Sequence, residues 1–259
     1  IRLNQRMRTA LLAWSAILLA SGCGGTGTSA PWKVRIAASF PHDEQAYTQG
    51  LLFRDGKLYE STGLYRESTV REVDPATGRV LRKLDLPANV FGEGLAWHGD
   101  RLFVLTWRER TAYEIDPATF AVVKTFSYEG EGWGLTSDGT HLIMSDGTST
   151  LRFVNPADFS VVRTLRVTQA GQPVMNLNEL EFMDGDLLAN IYQEDRIVRI
   201  DSDSGKVTAE LDLSSLRTLL SSPNRAEVLN GIAVHPENGH LYVTGKRWPM
   251  MFELVPTTE

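Results

Sequence analysis

One stretch decides the fold of this chain, Val90-Phe91-Gly92-Glu93-Gly94-Leu95-Ala96. It places a carboxylate between two glycines at the start of an apolar run, and glycines allow close approach because they carry no Cβ atom. Its central triplet recurs along the chain with a variable first residue. The five copies are Gln49-Gly50-Leu51, Glu93-Gly94-Leu95, Trp133-Gly134-Leu135, Asn178-Glu179-Leu180 and Asn230-Gly231-Ile232.

Each triplet is followed by a turn and by a second apolar run that begins with a leucine. These leucines are Leu58, Leu102, Leu142, Leu187 and Leu241. The leucine lies nine residues after the first residue of the triplet in four copies and eleven residues after it in the last. Turn pairs such as Asp55-Gly56 lie in between, and such pairs supply the positive φ angles of tight hairpins. The spacing predicts a β-hairpin at the start of every repeat.

A second turn follows the hairpin in four of the repeats. These turns begin at Asp74-Pro75, Asp116-Pro117, Asn155-Pro156 and Asp201-Ser202. Short alternating runs flank them, such as Thr111 to Ile115 and Ala121 to Phe126. Each repeat of roughly forty residues therefore carries four short strands, which is typical of a β-propeller blade. We predict an all-β, five-bladed β-propeller, because the regular recurrence disfavours two packed β-sandwich domains.

The last repeat lacks one strand at its C-terminal end. Its inner strands are predicted at Leu241 to Thr244 and Met251 to Val255, and its outer strand at Trp32 to Ser39. An N-terminal strand that joins the last blade would close the ring and protect the sheet edges. We assign residues 32–256 to this single propeller domain, with a short helix near residues 214–221.

The N-terminal segment resembles an export signal. Three arginines precede an apolar run from Ala10 to Ala20 that is too short to span a bilayer comfortably. The run ends at Ala20-Ser21-Gly22-Cys23, which resembles a bacterial lipobox. We therefore expect residues 1–22 to be a signal peptide, Cys23 to be lipidated, and residues 23–31 to form a flexible tether. The protein would be exported to the periplasm or cell envelope; an ordinary secretory peptide is the alternative.

Composition and charge exclude some functions. The formal net charge of the 259 residues is −6, and no basic tract is present, which disfavours a nucleic-acid partner. Cys23 is the only cysteine, so no internal disulfide is expected. The five histidines do not share the spacing of a zinc site, and we interpret them as surface residues in or near turns. We expect a monomer without cofactors.

The variable positions of the repeats predict a pocket. In a propeller the first strand of each blade lines the axis, so the first residues of the triplets should meet at one end of the channel. A second ring of positions lies five residues after the leucines, at Gly63, Trp107, Gly147, Tyr192 and Lys246. Together the two rings supply a carboxylate, amides, aromatic rings and a cation. Such a mixture of apolar walls and convergent polar groups indicates a binding site.

The motifs at these positions resemble those of the plant and bacterial glutamine cyclotransferases. They are Tyr47-Thr48-Gln49-Gly50-Leu51, Phe91-Gly92-Glu93-Gly94-Leu95, Gly132-Trp133-Gly134-Leu135, Leu177-Asn178-Glu179-Leu180-Glu181, Ala189-Asn190-Ile191-Tyr192-Gln193, Leu229-Asn230-Gly231-Ile232-Ala233 and Val243-Thr244-Gly245-Lys246-Arg247-Trp248-Pro249. The resemblance extends over residues 33–256. It implies a five-bladed propeller that converts the N-terminal glutaminyl residue of peptides to pyroglutamyl, with release of ammonia and without a catalytic metal.

The resemblance also implies the roles of individual residues. Glu93 matches the catalytic acid of the family. The substrate-pocket positions are matched by Gln49, Trp107, Trp133, Asn178, Tyr192 and Lys246. Tyr192 stands where the plant enzymes have Trp, which keeps an aromatic wall and adds a hydroxyl group. We expect Glu93 to shuttle protons, with a pKa raised by its partly dry surroundings.

Two other functions compete with this hypothesis. One is a metal-dependent, lactonase-like propeller, in which oxygen ligands would hold Ca²⁺ across the channel. Its ligands would be Glu93, Asp146, Asn178 and Asn230. Such enzymes typically have six blades, so the count of five repeats disfavours them. The other is a non-enzymatic propeller that serves as an envelope scaffold or binding module, for which Glu93 would be dispensable.

Overall fold

The computed structural model describes residues 30–257 and confirms the predicted five-bladed β-propeller. Two strands precede the first blade, β1 (Ala30–Pro31) and β2 (Lys33–Pro41). The predicted signal peptide, Cys23 and most of the predicted tether lie outside the described residues. Among residues 30–257, no helix has the length and apolarity that a membrane crossing requires.

Blades I to IV are antiparallel sheets of four strands that follow one another in chain order. Blade I consists of β3 (Thr48–Arg54), β4 (Lys57–Thr62), β5 (Thr69–Val73) and β6 (Val80–Asp85), and blade II of β7 (Gly92–His98), β8 (Arg101–Thr106), β9 (Thr111–Asp116) and β10 (Ala121–Ser127). Blade III consists of β11 (Leu135–Ser137), β12 (Leu142–Met144), β13 (Thr150–Val154) and β14 (Val161–Arg166), and is followed by a small hairpin of β15 (Thr168–Gln169) and β16 (Gln172–Pro173). Blade IV consists of β17 (Leu177–Met183), β18 (Asp186–Ile191), β19 (Arg196–Asp201) and β20 (Val207–Asp212). The first strand of each blade contacts the first strands of its neighbours, so these strands form the inner ring.

Blade V closes the ring with strands from both ends of the chain. It contains β21 (Leu229–Val234), β22 (Leu241–Gly245) and β23 (Met250–Thr257), and β2 pairs antiparallel with β23 at its outer edge. Lys33 lies opposite Thr257, and Pro41 lies opposite Met250. The predicted closure is therefore confirmed. A 3₁₀ helix at Ser214–Leu219 precedes this blade, as predicted, and β1 pairs with the outer edge of β20.

The core consists of five apolar clusters, each packed between two neighbouring blades. Between blades I and II, for example, Leu52 and Val70 pack with Leu95, Val104 and Ile115. Full burial of one such side chain contributes about 1.5–3 kcal/mol. Because the apolar side chains pack between blades, the axis itself is left to the residues of the inner strands.

The triplet position that varies coincides with an irregularity of the inner strand. In four blades the pairing register between the first and second strands shifts across this residue, between Thr48 and Gly50, Gly92 and Leu95, Leu177 and Leu180, and Leu229 and Ile232. A bulge leaves the extra residue unpaired and changes the direction of its side chain. In each of these four blades, the same irregularity therefore leaves one residue unpaired at the same end of the axis.

The residue after each variable position lies among the inner strands, and in blades II and IV it contacts the inner strands of other blades. In blade II it is Gly94, whose N–H donates to the carbonyl of Trp133 at 2.7 Å. A Cβ atom on Gly94 would lie 2.3 Å from the backbone nitrogen of Leu135. In blade IV the same position holds Glu179, whose side chain accepts hydrogen bonds from the backbone N–H groups of Leu51 at 3.3 Å and Ile232 at 2.8 Å. Glu179 therefore links blade IV to blades I and V.

Candidate active site

A cavity of about 230 Å³ lies at the end of the axis where the freed side chains converge. It is lined by Tyr47, Gln49, Phe91, Glu93, Trp107, Trp133, Asn178, Tyr192 and Lys246. All seven residues to which the sequence gave catalytic or substrate-binding roles are among them. A larger groove of about 920 Å³ lies at the outside of blades IV and V and contains none of the seven. The described structure brings the predicted residues together, and their roles remain predictions.

Glu93 is buried in this cavity, with 5% of its surface exposed. Its side-chain oxygens form no hydrogen bond with any of the described residues, whereas its backbone carbonyl accepts one from Ser61 Oγ at 2.6 Å. Burial raises the pKa of the Glu93 carboxyl well above its usual value, and the nearby Lys246 ammonium opposes this shift. Glu93 is therefore a buried carboxyl group with free hydrogen-bonding capacity and a raised pKa.

Lys246 is the cation of the cavity and is held by an amide. Its Nζ donates to Gln49 Oε1 at 2.7 Å and lies 4.6 Å from the centre of the Tyr47 ring. Burial lowers the pKa of Lys246 to about 8, although the negative charge of Glu93 acts in the opposite direction. Lys246 is therefore positively charged at neutral pH and loses its charge as the pH rises through about 8.

The amides of the site differ in what they can still bind. Asn230 lies behind Gln49, and its Nδ2 donates to Gln49 Oε1 at 3.2 Å and to the carbonyl of Thr48 at 2.9 Å. Since Gln49 Oε1 already accepts two hydrogen bonds, only its Nε2 remains to face a ligand. The Asn178 side chain forms no hydrogen bond within residues 30–257, so both of its polar atoms can bind a ligand.

Two indole rings form one side of the cavity, and a single carboxylate holds both. Glu131 Oε2 accepts hydrogen bonds from Trp107 Nε1 at 2.8 Å and from Trp133 Nε1 at 3.0 Å. The Trp133 ring fits because Gly147, which has a φ of +80°, carries no Cβ atom; one would lie 2.7 Å from that ring. Tyr192 meets the same ring edge-on, with centroids 5.5 Å apart. The walls are aromatic, and their N–H donors are already occupied.

The sequence did not single out three residues that shape the site, Tyr47, Phe91 and Glu131. Each lies two residues before the variable position of its triplet. Tyr47 and Phe91 line the cavity, and Glu131 holds the indoles. Their common distance from the triplets was the available signal for their location, whereas the contacts of Glu131 with the two indoles depend on the tertiary structure.

One expectation needs correction. His42 is not a surface residue: its side chain is 4% exposed, and its Nε2 lies 3.0 Å from Glu60 Oε1. Outside the ring of variable positions, the carboxylates of Glu131 and Glu109 lie close enough to Glu93 to raise its pKa further. Glu93 is still the only acid among the five variable positions.

The ligands of the competing calcium hypothesis do not converge. Only Glu93 and Asn178 line the cavity, whereas Asp146 Oδ1 accepts hydrogen bonds from the backbone and hydroxyl of Thr148. Asn230 lies behind Gln49. Within residues 30–257, no group of three or more His, Cys, Asp or Glu side chains is arranged to hold a metal ion.

Comparison with known proteins gives consistent results. The sequence profile of the glutamine cyclotransferase family matches residues 9–255. A glutaminyl-peptide cyclotransferase of Arabidopsis thaliana is 42% identical over 228 residues, which covers 86% of this chain and 71% of the plant protein. The crystal structure of Myxococcus xanthus glutaminyl cyclase superposes with a TM-score of 0.83 at 36% identity, over 88% of this chain and 98% of that one.

Proposed function

The chain belongs to the glutamine cyclotransferase family, as its motifs indicated, and from this premise we propose that it converts N-terminal glutaminyl residues of peptides and proteins to pyroglutamyl residues with release of ammonia. One observation carries the proposal for this site. Glu93 is a buried carboxyl group that faces the cavity with no hydrogen-bond partner among the described residues, so its proton-transfer capacity is available to a ligand.

The reaction closes a five-membered ring within the substrate. The α-amine attacks the γ-carbonyl carbon of its own side chain, a C–N bond forms, and the C–N bond to the amide nitrogen breaks. Much of the catalytic effect can come from holding the side chain folded back, because well-oriented intramolecular reactions reach effective molarities of roughly 10⁵–10⁸ M. The aromatic walls formed by Trp107, Trp133 and Tyr192 would enforce this conformation and keep out the water that would otherwise hydrolyse the amide.

Glu93 can carry both protons that must move. As a carboxylate it takes one proton from the substrate α-ammonium, whose usual pKa of roughly 7.7–8.0 is close to neutral. The neutral amine then attacks, and Glu93 gives that proton to the departing amide nitrogen. It next takes the second proton from the ring nitrogen and passes it to the ammonia. The products are the lactam and ammonium, and Glu93 is again a carboxylate. A raised pKa suits this double role.

The polar groups around Glu93 are suited to the charge that develops on the γ-carbonyl oxygen. Lys246 Nζ has donors left beyond its bond to Gln49, and Gln49 can offer only its Nε2 to a ligand. The free amide of Asn178 adds a third donor. Preorganised donors of this kind stabilise an oxyanion in water-excluded sites. No step requires a metal ion, so we propose a metal-independent enzyme.

The setting of the enzyme is also a proposal. The lipobox-like sequence before Cys23 supports export and lipid attachment, which would tether the domain to a membrane of the cell envelope. A monomer is proposed as well. Metabolic labelling with a fatty acid should mark the full-length protein and fail to mark a Cys23→Ser variant. Labelling of both proteins, or of neither, would contradict lipidation at this residue.

Ammonia release from a short Gln-initiated peptide tests the enzymatic function. We expect the peptide to lose one ammonia and its reactive amine, with the same rate after exhaustive chelation. The N-acetylated form of the same peptide is the matched control, since it has no free amine to attack. Absence of pyroglutamyl product would contradict the proposed activity, and loss of activity on chelation would contradict its metal independence.

A further inference from the structure

The side chain of Glu131 contacts two residues of the cavity wall, Trp107 and Trp133, at the same time. It lies on the connection from β10 to β11, and its side chain is 36% exposed. One oxygen, Oε2, accepts both indole N–H groups, from Trp107 at 2.8 Å and Trp133 at 3.0 Å. The other oxygen, Oε1, accepts a hydrogen bond from Arg108 Nε at 3.1 Å. Three donors from two loops therefore converge on a single carboxylate.

Arg108 completes this arrangement from the solvent side. Its guanidinium carbon lies 3.8 Å from the centre of the Trp107 ring, which is the distance of a close cation–π contact. The Trp107 ring is thus fixed at its N–H by Glu131 and covered by Arg108, while Phe91 meets it edge-on with centroids 5.6 Å apart. Hydrogen bonds to an ionised acceptor are about twice as strong as neutral ones. The orientation of both indoles therefore depends on one acceptor oxygen of a single side chain.

We propose that Glu131 is a positioning residue of this site, whose carboxylate holds the indoles of Trp107 and Trp133 in the orientation that shapes the cavity for the glutaminyl side chain. The orienting role follows from the contacts alone, and its catalytic consequence rests on the proposed function. Since both indole donors are occupied, the walls present only ring faces and edges to the substrate. Polar recognition is left to Gln49, Asn178 and Lys246.

Glu131 also has an electrostatic effect that must be separated from positioning. Its negative charge, like that of Glu109, raises the pKa of Glu93, while Lys246 lowers it. The hydroxyls of Tyr47, Tyr65 and Tyr128 also interact electrostatically with Glu93. Glu109 forms its hydrogen bonds with Tyr65 and the backbone of Phe91 and makes none with either indole. Glu109 therefore provides a variant that changes charge near Glu93 without releasing the indoles.

Four variants make the test. Glu131→Ala removes both the charge and the acceptor. Glu131→Gln removes the charge but keeps one oxygen that can accept both indole donors. Glu109→Gln removes a comparable charge elsewhere on the rim. Glu129→Gln is the matched control, because it lies on the same connection and its side chain makes no hydrogen bond within residues 30–257.

We expect Glu131→Ala to lower kcat/KM about 10- to 100-fold relative to Glu129→Gln, through a higher KM and a lower kcat, because small misplacements of a bound substrate have effects of this size. Glu131→Gln should recover most of this loss. The acidic limb of its kcat/KM profile should move to lower pH, as in Glu109→Gln, since loss of a neighbouring negative charge lowers the pKa of Glu93. Wild-type kinetics in Glu131→Ala, or no recovery in Glu131→Gln, would overturn the positioning role.

A second measurement does not depend on activity. Heteronuclear NMR of the indole N–H groups should show two signals that exchange slowly with solvent in the wild type and in Glu129→Gln. In Glu131→Ala these two signals should shift and exchange faster. Unchanged indole signals would overturn the proposal even if the kinetics change. If the wild type released no ammonia from Gln-initiated peptides, the proposed function would fail while these signals still decided the role of Glu131.

Discussion

Glu93 in blade II and Glu179 in blade IV are two buried carboxyl groups from equivalent parts of the repeat, and they have opposite surroundings. Their side chains are 5% and 0% exposed, and burial raises the pKa of both well above the usual value. Glu179 accepts hydrogen bonds from two backbone N–H groups of other blades. Glu93 faces a cavity, and its carboxyl group has no hydrogen-bond partner among the described residues.

The difference shows why burial and a raised pKa are not enough to identify a catalytic acid. A carboxyl group whose oxygens accept hydrogen bonds from the fold has little capacity left for a substrate, and its removal lowers the stability of the protein. A carboxyl group that is buried without partners costs stability, and natural proteins keep such groups where function uses them. Local sequence separates the two by a single position: Glu93 occupies the variable residue of its triplet, and Glu179 the residue after it.

The largest expected effect is on turnover in Glu93→Gln. Loss of a general acid–base group should lower kcat by about 10²–10⁴-fold, equivalent to about 2.7–5.4 kcal/mol of barrier.

The Glu93→Gln variant should also unfold at a higher temperature than the wild type at pH 7. Glu93 has a raised pKa in the folded state, so the wild type loses stability as pH rises from the unfolded pKa through the folded one. At pH 4 the gain should vanish. Near-normal turnover of a Gln-initiated peptide by Glu93→Gln would contradict the assignment of Glu93 as the proton-transfer group.

The next effect concerns the residue after the variable position. Gly94→Ala places a methyl group 2.3 Å from the backbone nitrogen of Leu135, where blade IV accommodates an entire glutamate side chain. Because backbone atoms of blade III must move, we expect a loss of about 3 kcal/mol in the free energy of unfolding. Urea denaturation measures it, with Glu129→Gln as the control. A stability equal to that of the control would show that the axis is less tightly packed than the structure indicates.

Glu179→Gln should have the reverse profile of Glu93→Gln. An amide offers one acceptor oxygen where the carboxyl group offers two, so one backbone N–H, from Leu51 or Ile232, loses its partner. We expect the free energy of unfolding to fall by about 1–3 kcal/mol, while kcat per folded molecule stays within a few-fold of the wild type. A loss of turnover as large as that of Glu93→Gln, in protein shown to be folded, would remove the distinction between the two carboxyl groups.

The smallest expected effect is a shift of the alkaline limb of the kcat/KM profile. The pKa of Lys246 is lowered by burial to about 8, with Glu93 and Glu227 opposing, so its ammonium is lost as pH rises through this value. Lys246→Arg keeps the positive charge at all accessible pH values and should move the limb upward by about one pH unit. Both proteins must be compared on one peptide, because its α-amine titrates in the same range. An identical limb in both proteins would assign that limb to the substrate.

The fold was predictable because its information is repeated. Two landmarks recur five times and a third recurs four times, so an error in one repeat is corrected by the other repeats. The predicted strands Ala121 to Phe126 and Trp32 to Ser39 agree with Ala121–Ser127 and Lys33–Pro41 to within two residues. The closure by the N-terminal strand followed from counting strands, because a blade with three C-terminal strands requires a fourth from elsewhere.

The site was predictable only where it follows the repeat. The variable position and the position five residues after each leucine are periodic, so all seven predicted site residues could be selected from the sequence. Glu131 acts through Trp107, which belongs to another segment, and the direction of its side chain is set by tertiary contacts. The burial of His42 also depends on partners far along the chain, since its Nδ1 lies 2.7 Å from the carbonyl oxygen of Trp248. A sequence pattern contains no record of such pairings.

The pairing of β2 with β23 has a consequence for how the molecule is made. Lys33 and Thr257 are partners although they lie far apart in the sequence, so the entropy of bringing them together is that of a very long loop. Blades I to IV can assemble from contacts between near neighbours in sequence, but blade V must wait for the last strand to be synthesised. A chain that is truncated before β23 would leave the edges of β2 and β22 open to pairing with other chains. Closure of the ring therefore requires a chain that extends through β23.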